Sequence, residues 1–403
     1  MSLVFDGNAA ASTSAGSQKA LRARNIDLVV GTLGIDGPQT QAMLARRTRL
    51  SAGTISSIVR ELTEQRRVSA RPTISGGRRA VEVALVPDGR VVVGVDVGRA
   101  HLQVMAMDTG RRTFGMRGTT LHSSHLPSDT LRIARQMVDE MLAESGVDRS
   151  DVVLCGVAVP ASLNPVTGRV VQASVLQSWA GIDLVEATTR ALDLPVVLEN
   201  DANLGAIAHA GTGPFSGVRC LVFVKVGTGI GAGLAFDGKI YESASGIAGE
   251  IGHGQLIDGG EVCTCGNRGC LETVASTRRI VADFARIRPD SEVELDDVIA
   301  AVAAGDPAAI RLLHDAGAQI GRAIAPICNL LSPDVVVVGG PLARVGASLF
   351  DGIVQSTRQR SLSTATAHTR FVLSDLGDHA EVHGACLLAL RRVITEGHAR
   401  VSN

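Results

Sequence analysis

The sequence predicts an α/β protein in two parts, an N-terminal winged helix-turn-helix followed by a larger body of two lobes. Three observations predict it. The first 90 residues carry 13 Lys and Arg against 7 Asp and Glu, whereas the whole chain has a net charge of −1. Within this basic segment, two short helices flank a tight turn. The remaining residues repeat a strand, a glycine-bearing hairpin and a helix, which is typical of a duplicated α/β body.

A length of 403 residues is enough for two or three domains, and 45% hydrophobic against 20% charged residues excludes a disordered chain. Seven cysteines form no disulfide framework, residues 1–20 lack the apolar core of a signal peptide, and no apolar run reaches the roughly 18 residues of a membrane helix. We therefore expect a cytoplasmic protein with reduced thiols and no membrane partner. The predicted segments are a disordered tail at 1–19, a winged head at 20–90, a first lobe at 91–205 completed by a C-terminal helix at about 378–395, and a second lobe at 206–377.

The helix-turn-helix pattern lies between residues 39 and 62. A first helix is predicted from about Ala20 and ends at 34–38. A short second helix at 39–48 is followed by a three-residue turn, and Ser51 is a good N-cap for a third helix at 52–62. One face of this third helix is apolar and the other carries small polar residues, so that its N-terminal end can read base edges in the major groove of DNA. The candidate groove contacts are Ser51, Thr54, Ser56, Ser57 and Arg60.

Two alternating stretches, 66–70 and 81–85, flank a Gly-Gly-Arg-Arg tip and predict a wing. Its arginines, Arg78 and Arg79, would contact phosphates or the minor groove. A small helical oligomerisation module with a solvated basic face is the alternative. The wing and the charge excess favour DNA binding.

The body opens with an apolar strand that ends at Asp96 and Gly98, and a second strand returns from His101. This hairpin is typical of the first phosphate loop of the actin-like ATPase and sugar-kinase fold, which is ribonuclease H-like, and there Asp96 would face metal-bound phosphates. Asp-x-Gly by itself is a weak signal, because many hairpins use these residues only for turn geometry.

Glycines follow two further strands. In the loop that begins Gly227-Thr228-Gly229, the two glycines together with Ala232 satisfy a permissive dinucleotide-binding motif, Gly-x-Gly-x-x-Ala. That motif requires a long helix next, whereas a strand and an Asp-Gly hairpin follow. A glycine hairpin whose amides wrap a phosphate fits better. Gly339 and Gly340 end another strand, where an adenosine could lie against bare backbone.

Three cysteines lie within eight residues, at Cys263, Cys265 and Cys270, and His253 precedes them by ten. One histidine and three cysteines form a closed tetrahedral ligand set typical of structural zinc. A redox pair and inert buried thiols are the alternatives. The close Cys-x-Cys spacing and the intervening glycines favour zinc.

Several motifs together resemble the ROK family (repressors, open reading frames, kinases). They are Glu-Ile-Gly-His at 250–253, the cysteine cluster with the Leu-Glu that follows it, Glu-Asn-Asp-Ala-Asn at 199–203, and Asn-Leu-Leu-Ser-Pro-Asp at 329–334 running into two glycines. In ROK sugar kinases the Asn-Asp aspartate is the general base, so the resemblance implies that role for Asp201 if the chain has kinase activity. The resemblance also implies a sugar site made of Asn200, Asp201, Glu250, His253 and Glu272.

These side chains can satisfy vicinal hydroxyls as both donors and acceptors. His253 would use one ring nitrogen for zinc and the other for sugar, so that the metal braces the pocket. Helix-cap or surface roles for Glu250 and Glu272 are the alternative.

Two departures from the family pattern matter. ROK kinases usually have Asp-x-Gly-Gly-Thr-Lys at the first phosphate loop, where this chain has Arg99 and Ala100 in place of the second Gly and the Thr. A bulky Arg would obstruct or reshape the loop, which argues against ATP and Mg²⁺ binding, although a guanidinium could instead bind an anion. Ala161 stands where the family commonly has Gly beside the sugar, which could change sugar choice.

These features predict a sugar-responsive transcription regulator of carbohydrate genes, acting as a repressor. The head would bind double-stranded operator DNA as part of a homodimer or tetramer, and the body would bind a sugar or sugar phosphate. An ATP-dependent hexose kinase with an added DNA-binding head is the rival, because Asp201 and the glycine loop are intact. A regulator controlled by a phosphotransferase-system protein is a third possibility.

Overall fold

The computed structural model describes residues 18–122, 125–164, 167–172, 177–179, 181–210, 213–215, 218–289 and 292–401. Almost all of the predicted tail at 1–19 lies outside these residues, since the first helix begins at Gln18.

The head is a small helical core backed by a three-stranded sheet. Its elements are α1 (Gln18–Asp36), β1 (Gln39–Thr40), α2 (Gln41–Thr48), α3 (Ala52–Glu64), β2 (Val68–Ser75) and β3 (Arg78–Leu85). The second helix begins two residues later than predicted, because Gln39 and Thr40 pair with β3 and the Thr40 side chain then caps α2. Ser51 caps α3 as predicted, its side chain accepting a hydrogen bond from the Thr54 amide.

Strands β2 and β3 form the predicted wing hairpin. Gly76 and Gly77 at its tip have φ of 55° and 75°, values that favour glycine in a two-residue hairpin turn. Strand order in the sheet is β1-β3-β2.

The first lobe of the body is built on a five-stranded sheet of order β10-β7-β4-β5-β6. Helices α4 and α5 cover one face with an apolar cluster rich in valine. The elements are β4 (Val91–Val97), β5 (His101–Asp108), β6 (Thr113–Thr120), α4 (Pro127–Ser145), β7 (Val152–Val159), β8 (Ser162–Leu163), β9 (Val170–Gln172), α5 (Leu184–Leu192) and β10 (Val196–Asn200).

The second lobe repeats this arrangement with the sheet order β13-β12-β11-β14-β15. In each sheet the first three strands run antiparallel, and the fourth and fifth run parallel to the first. The elements are α6 (Asp201–Ala210), β11 (Cys220–Val226), β12 (Ile230–Phe236), β13 (Lys239–Ile240), α7 (Glu272–Ala275), α8 (Thr277–Ile287), α9 (Leu295–Ala303), α10 (Pro307–Leu331), β14 (Val335–Gly339), α11 (Ala347–Arg360), α12 (Ser363–Thr366), β15 (Arg370–Leu373) and α13 (Ala380–Val401). The predicted fold class is confirmed.

Helices α6 and α13 join the lobes. They cross so closely that a β-carbon on Gly384 would lie 2.0 Å from the Leu204 carbonyl oxygen. Helix α13 also lies directly on the first sheet, where a β-carbon on Gly156 would lie 2.0 Å from the Ala385 carbonyl oxygen. The predicted lobe boundary after residue 205 therefore falls inside α6, a continuous helix.

Candidate functional site

A cavity of about 350 Å³ lies between the two lobes, a volume within the usual range for small-ligand pockets. Its walls come from the ends of strands of both sheets and from the loops that follow them. The lining includes nine of the predicted site residues, namely Gly98, Asn200, Asp201, Gly227, Thr228, Gly229, Glu250, His253 and Glu272. Asp96, Gly339 and Gly340 are not among the described residues that line it.

Asn200 and Asp201 form the corner between β10 and α6. The Asn200 Oδ1 accepts hydrogen bonds from the amides of Ala202 at 2.9 Å and Asn203 at 3.2 Å, while its Nδ2 donates to the Ala161 carbonyl at 3.2 Å. This side chain therefore fixes the corner as well as facing the cavity. The Asp201 Oδ1 accepts from the Ala202 amide at 2.7 Å, which leaves Oδ2 directed elsewhere.

Two carboxylates converge on the His253 imidazole. Glu250 Oε2 lies 3.7 Å from His253 Nε2, and its other oxygen accepts a hydrogen bond from Ser162. Burial raises the pKa of Glu272, and the nearby His253 only partly opposes that effect. The set offers carboxylate, imidazole and hydroxyl groups within one wall of the cavity, which suits recognition of a polyhydroxylated ligand.

The opposite ring nitrogen of His253 points to the cysteine cluster. Its Nδ1 lies 3.5 Å from Cys263 Sγ, Cys265 and Cys270 are 3.8 Å apart at their sulfurs, and one ligand atom from each of the four residues lies within 4.8 Å of the others. A tetrahedral zinc with bonds of about 2.0–2.3 Å places its ligand atoms about 3.5–3.8 Å apart. The donor set and its spacing therefore fit such an ion.

A cysteine binds zinc as a thiolate, so the thiols of this cluster must lose their protons when a metal binds. Burial, together with hydrogen bonds between its thiol and those of Cys265 and Cys263, raises the pKa of Cys270 to about 12. A bound metal would reverse this, because thiolates crowded within a small volume are stabilised by a positive ion.

Sequence reasoning missed Lys225, which lies at the cavity floor near the end of β11. Its Nζ is 2.7 Å from Asp201 Oδ2 and 3.6 Å from Glu381 Oε1, and its side chain is only 10% exposed. A single charge in the apolar strand Cys-Leu-Val-Phe-Val-Lys-Val was the available signal. Glu381, in the first turn of α13, carried no such signal.

His101 was also missed. Its Nε2 lies 2.8 Å from Asp96 Oδ2, so the aspartate predicted to face phosphates is instead fully buried beside an imidazole. Burial raises the pKa of Asp96, but His101, together with Lys225 and His379, holds that pKa below its ordinary value. The interaction also affects the imidazole. Burial lowers the pKa of His101, but Asp96 opposes burial and the pKa is raised above its ordinary value.

The predicted DNA contacts differ in their exposure and in their hydrogen bonds. Ser56 and Arg60 on α3, and Arg78 and Arg79 at the wing tip, are exposed. Ser57 differs, because its hydroxyl accepts a hydrogen bond from Arg22 of α1 at 3.0 Å. Ser51 and Thr54 are joined to each other by the cap at the start of α3.

In the part of the chain that the structure describes, we find no helix with the length and apolar character needed to span a bilayer.

Fold and cleft together define a two-lobed α/β protein of sugar-kinase type that carries a winged helix-turn-helix head. Residues 92–392 match the model of the ROK family, and the chain belongs to that family.

Its similarities extend to both regulators and enzymes. A putative xylose repressor of Caldicellulosiruptor sp. (strain Rt8B.4) is 25% identical over 93% of this chain and 97% of its own. A glucokinase of Halalkalibacterium halodurans is 30% identical over 73% of this chain and 93% of its own. The crystal structure of a ROK family transcriptional regulator, a homologue of the Escherichia coli Mlc protein, covers 94% of this chain and 98% of its own with a TM-score of 0.72 and 27% identity. The regulators match the head as well as the body, whereas the glucokinase matches about three quarters of the chain.

Proposed function

We propose that this protein is a sugar-responsive transcriptional repressor, in which a sugar in the interlobe cleft changes how the winged head is held on the body. One observation carries the proposal: the end of α1 is held by parts of the first lobe, of α13 and of the second lobe at once. A movement of one lobe against the other therefore acts directly on the head.

The joint is made by two half-buried arginines. Arg111, in the turn between β5 and β6, donates from Nη2 to the carbonyls of Gly34 at 3.0 Å and Ile35 at 2.5 Å. Arg391 of α13 donates to the Ile35 carbonyl at 3.5 Å and to the Gly238 carbonyl at 3.4 Å. Gly238 belongs to the β12–β13 turn of the second lobe, so α1 and both lobes share these two guanidinium groups.

Charge and packing tighten the same joint. Asp36, the last residue of α1, is 7% exposed and lies 3.2 Å from Arg47 in the head. Burial raises the pKa of Asp36, against the opposing effects of Arg47, Arg391 and Arg111. The side chain of Ile394 lies on Gly34, where a β-carbon would be 2.3 Å from its Cδ1.

Helix α13 connects the joint to the cleft. Glu381 in its first turn faces Lys225 at the cavity floor, and Arg391 and Ile394, about three turns later, contact α1. A ligand that alters the packing of α6 against α13 would shift α13, whose residues Arg391 and Ile394 contact the end of α1. Such a ligand changes operator affinity only to the extent that it binds one lobe arrangement better than the other.

The sugar site of this proposal comprises Asn200, Asp201, Glu250, His253 and Glu272, with Ala161 beside them. Structural zinc on His253 and the three cysteines would hold the imidazole in place for the sugar. Thr54, Ser56 and Arg60 would contact the major groove, with Arg78 and Arg79 on the backbone. A two-fold operator requires two heads, so we propose a homodimer acting in the cytoplasm.

The test is operator binding with and without sugar. Double-stranded DNA is first selected from a random pool with the full-length protein, and its dissociation constant is then measured in D-xylose, D-glucose, N-acetylglucosamine, N-acetylmannosamine and their 6-phosphates. We expect at least one sugar to weaken DNA binding by about 5-fold to 150-fold, the usual span of allosteric coupling. Selection of no DNA, or an affinity that no sugar changes, contradicts the proposal.

The hexokinase alternative is tested in the same preparation by ADP release with the unphosphorylated sugars, and robust turnover would establish it. Sugar-independent DNA binding that a phosphotransferase-system protein abolishes would establish the partner-controlled alternative.

A further inference from the structure

The cleft floor gathers three carboxylates around one ammonium. Asp96, Asp201 and Glu381 come from β4, the start of α6 and the start of α13, and all are at most 8% exposed. Lys225 on β11 lies among them, with its Nζ at 2.7 Å from Asp201 and 3.6 Å from Glu381. Converging carboxylates from several elements are the ligands that hard divalent cations prefer.

The residues do not fit Mg²⁺ with ATP. A divalent ion among these carboxylates would stand close to the Lys225 ammonium, and two positive centres in a buried site repel each other strongly. Asp96, which would have to face the metal-bound phosphates, is turned to His101 and lies under the floor. Arg99 lines the cavity at the position that backbone would need to approach a phosphate.

We propose that the Lys225 ammonium is a built-in cation, which takes the place of the divalent metal and leaves Asp201 unable to act as a general base. Both Asp201 oxygens are engaged, Oδ2 by Lys225 and Oδ1 by the Ala202 amide. A base needs a free carboxylate oxygen within hydrogen-bond reach of the sugar hydroxyl. The cleft then binds its sugar without consuming it.

Two buried carboxylate oxygens depend on the Lys225 ammonium for charge compensation. Asp96 Oδ1 and Glu381 Oε1 are buried and accept no hydrogen bond from the residues that the structure describes. With Lys225 in place, its charge offsets theirs through space. Its pKa supports this: burial lowers the pKa of Lys225, but Asp201, then Glu381 and Asp96, raise it above its ordinary value. Without Lys225, Asp201 Oδ2 and Glu381 Oε1 would face the floor with no cation to offset their charges, and buried Asp96 would add a third negative charge beneath them.

This inference deepens the proposed function, since a sensor gains from a sugar that remains unmodified, but its test involves neither DNA nor sugar. Full-length, zinc-loaded protein is titrated with MnCl₂, and free Mn²⁺ is followed by its electron paramagnetic resonance signal. Mn²⁺ is the probe because it favours oxygen ligands over the cysteine cluster. The variants are Lys225→Met, the charge-balanced Lys225→Met/Asp201→Asn, and Lys239→Met, which removes an exposed lysine of β13.

Wild type and Lys239→Met are expected to take up no Mn²⁺ at the cleft. Lys225→Met should bind about one Mn²⁺ per chain, at least about tenfold more tightly than wild type, because an oxygen-only site of uncompensated charge favours a divalent ion. The double variant should lose most of that affinity.

A folded Lys225→Met protein that takes up no Mn²⁺ overturns the proposal. If Lys225→Met does not fold, the titration of wild-type protein tests the proposal. Uptake of Mn²⁺ by wild type that the Asp201→Asn substitution abolishes would overturn the proposal, because the cleft would then still bind a divalent metal. Absence of Mn²⁺ uptake by wild type would support the built-in cation. Failure of the sugar and DNA experiment would leave every arm of this titration interpretable.

Discussion

Replacing Arg111 by methionine removes the guanidinium that ties the head to the first lobe and retains most of the apolar stem. The lost contacts are the hydrogen bonds to Gly34 and Ile35, at 3.0 and 2.5 Å, and the charge beside Asp36. Hydrogen bonds from a charged group contribute about 1.5–3 kcal/mol each, so the pair contributes about 3–6 kcal/mol before desolvation is counted.

Desolvation reduces that figure. Burial lowers the pKa of Arg111 to about 10, which reflects the free energy lost when its charge leaves water. A net weakening of the joint by about 2–4 kcal/mol follows, comparable with the 1–3 kcal/mol usual for coupling between sites. Loss of the joint should therefore remove most of the communication between cleft and head.

The assay compares three quantities in Arg111→Met and wild type: sugar affinity, operator affinity without sugar, and the fold-change in operator affinity that sugar produces. Sugar affinity should stay within about twofold, because Arg111 does not line the cavity, whereas the sugar-induced fold-change should fall close to one. Arg112→Met is the matched control, since Arg112 is exposed and lies over the Phe114 ring at 5.3 Å. A full sugar response in Arg111→Met would refute the coupling route through this joint.

Three further outcomes are expected. Cys263→Ser or Cys270→Ser should each remove about one zinc per chain and lower the melting temperature, as measured by metal analysis and thermal unfolding; wild-type protein purified without zinc would contradict this. Arg78→Ala with Arg79→Ala should weaken binding to all DNA sequences and reduce the salt slope by about 2, and an unchanged slope would remove the wing from the interface. Burial raises the pKa of Glu381 to about 7; Lys225 opposes this rise, and Asp96 and Asp201 add to it. The folded state therefore binds the Glu381 proton more tightly than the unfolded state, and the contribution of Glu381 to stability falls as pH rises from about 4.5 to 7. Glu381→Gln should flatten the wild-type decline in melting temperature across that window, and an equally steep decline in the variant would assign it to other groups.

Patterns within single segments predicted much of the fold. The apolar face of α3, its Ser51 cap, the Gly-Gly wing tip and the strand–hairpin units all depend on contacts between residues near one another in the chain, and the structure has each of them. The start of α2 was misjudged for the opposite reason, because the pairing of β1 with β3 joins residues more than 40 positions apart.

The site divides in the same way. His253 and the cysteines lie within eighteen residues, so their spacing alone indicated a shared ligand set. The loop motif predicts that Asp96 faces phosphates, but a motif does not show which basic side chain will pair with the carboxylate. In the structure His101 is hydrogen-bonded to Asp96, and Lys225, from a different strand, donates to Asp201.

The sequence by itself determined the two-part architecture, the family motifs and a candidate metal ligand set, because local periodicity, caps and spacing depend on residues close together in the chain. Only the tertiary structure decided the state of the cleft and its connection to the head. Lys225 meets Glu381, and Arg111 and Arg391 meet the end of α1, across separations of 76 to 356 residues. Such contacts arise from the packing of α13 between the lobes and against α1, and no pattern along the chain specifies which buried charges that packing will bring together.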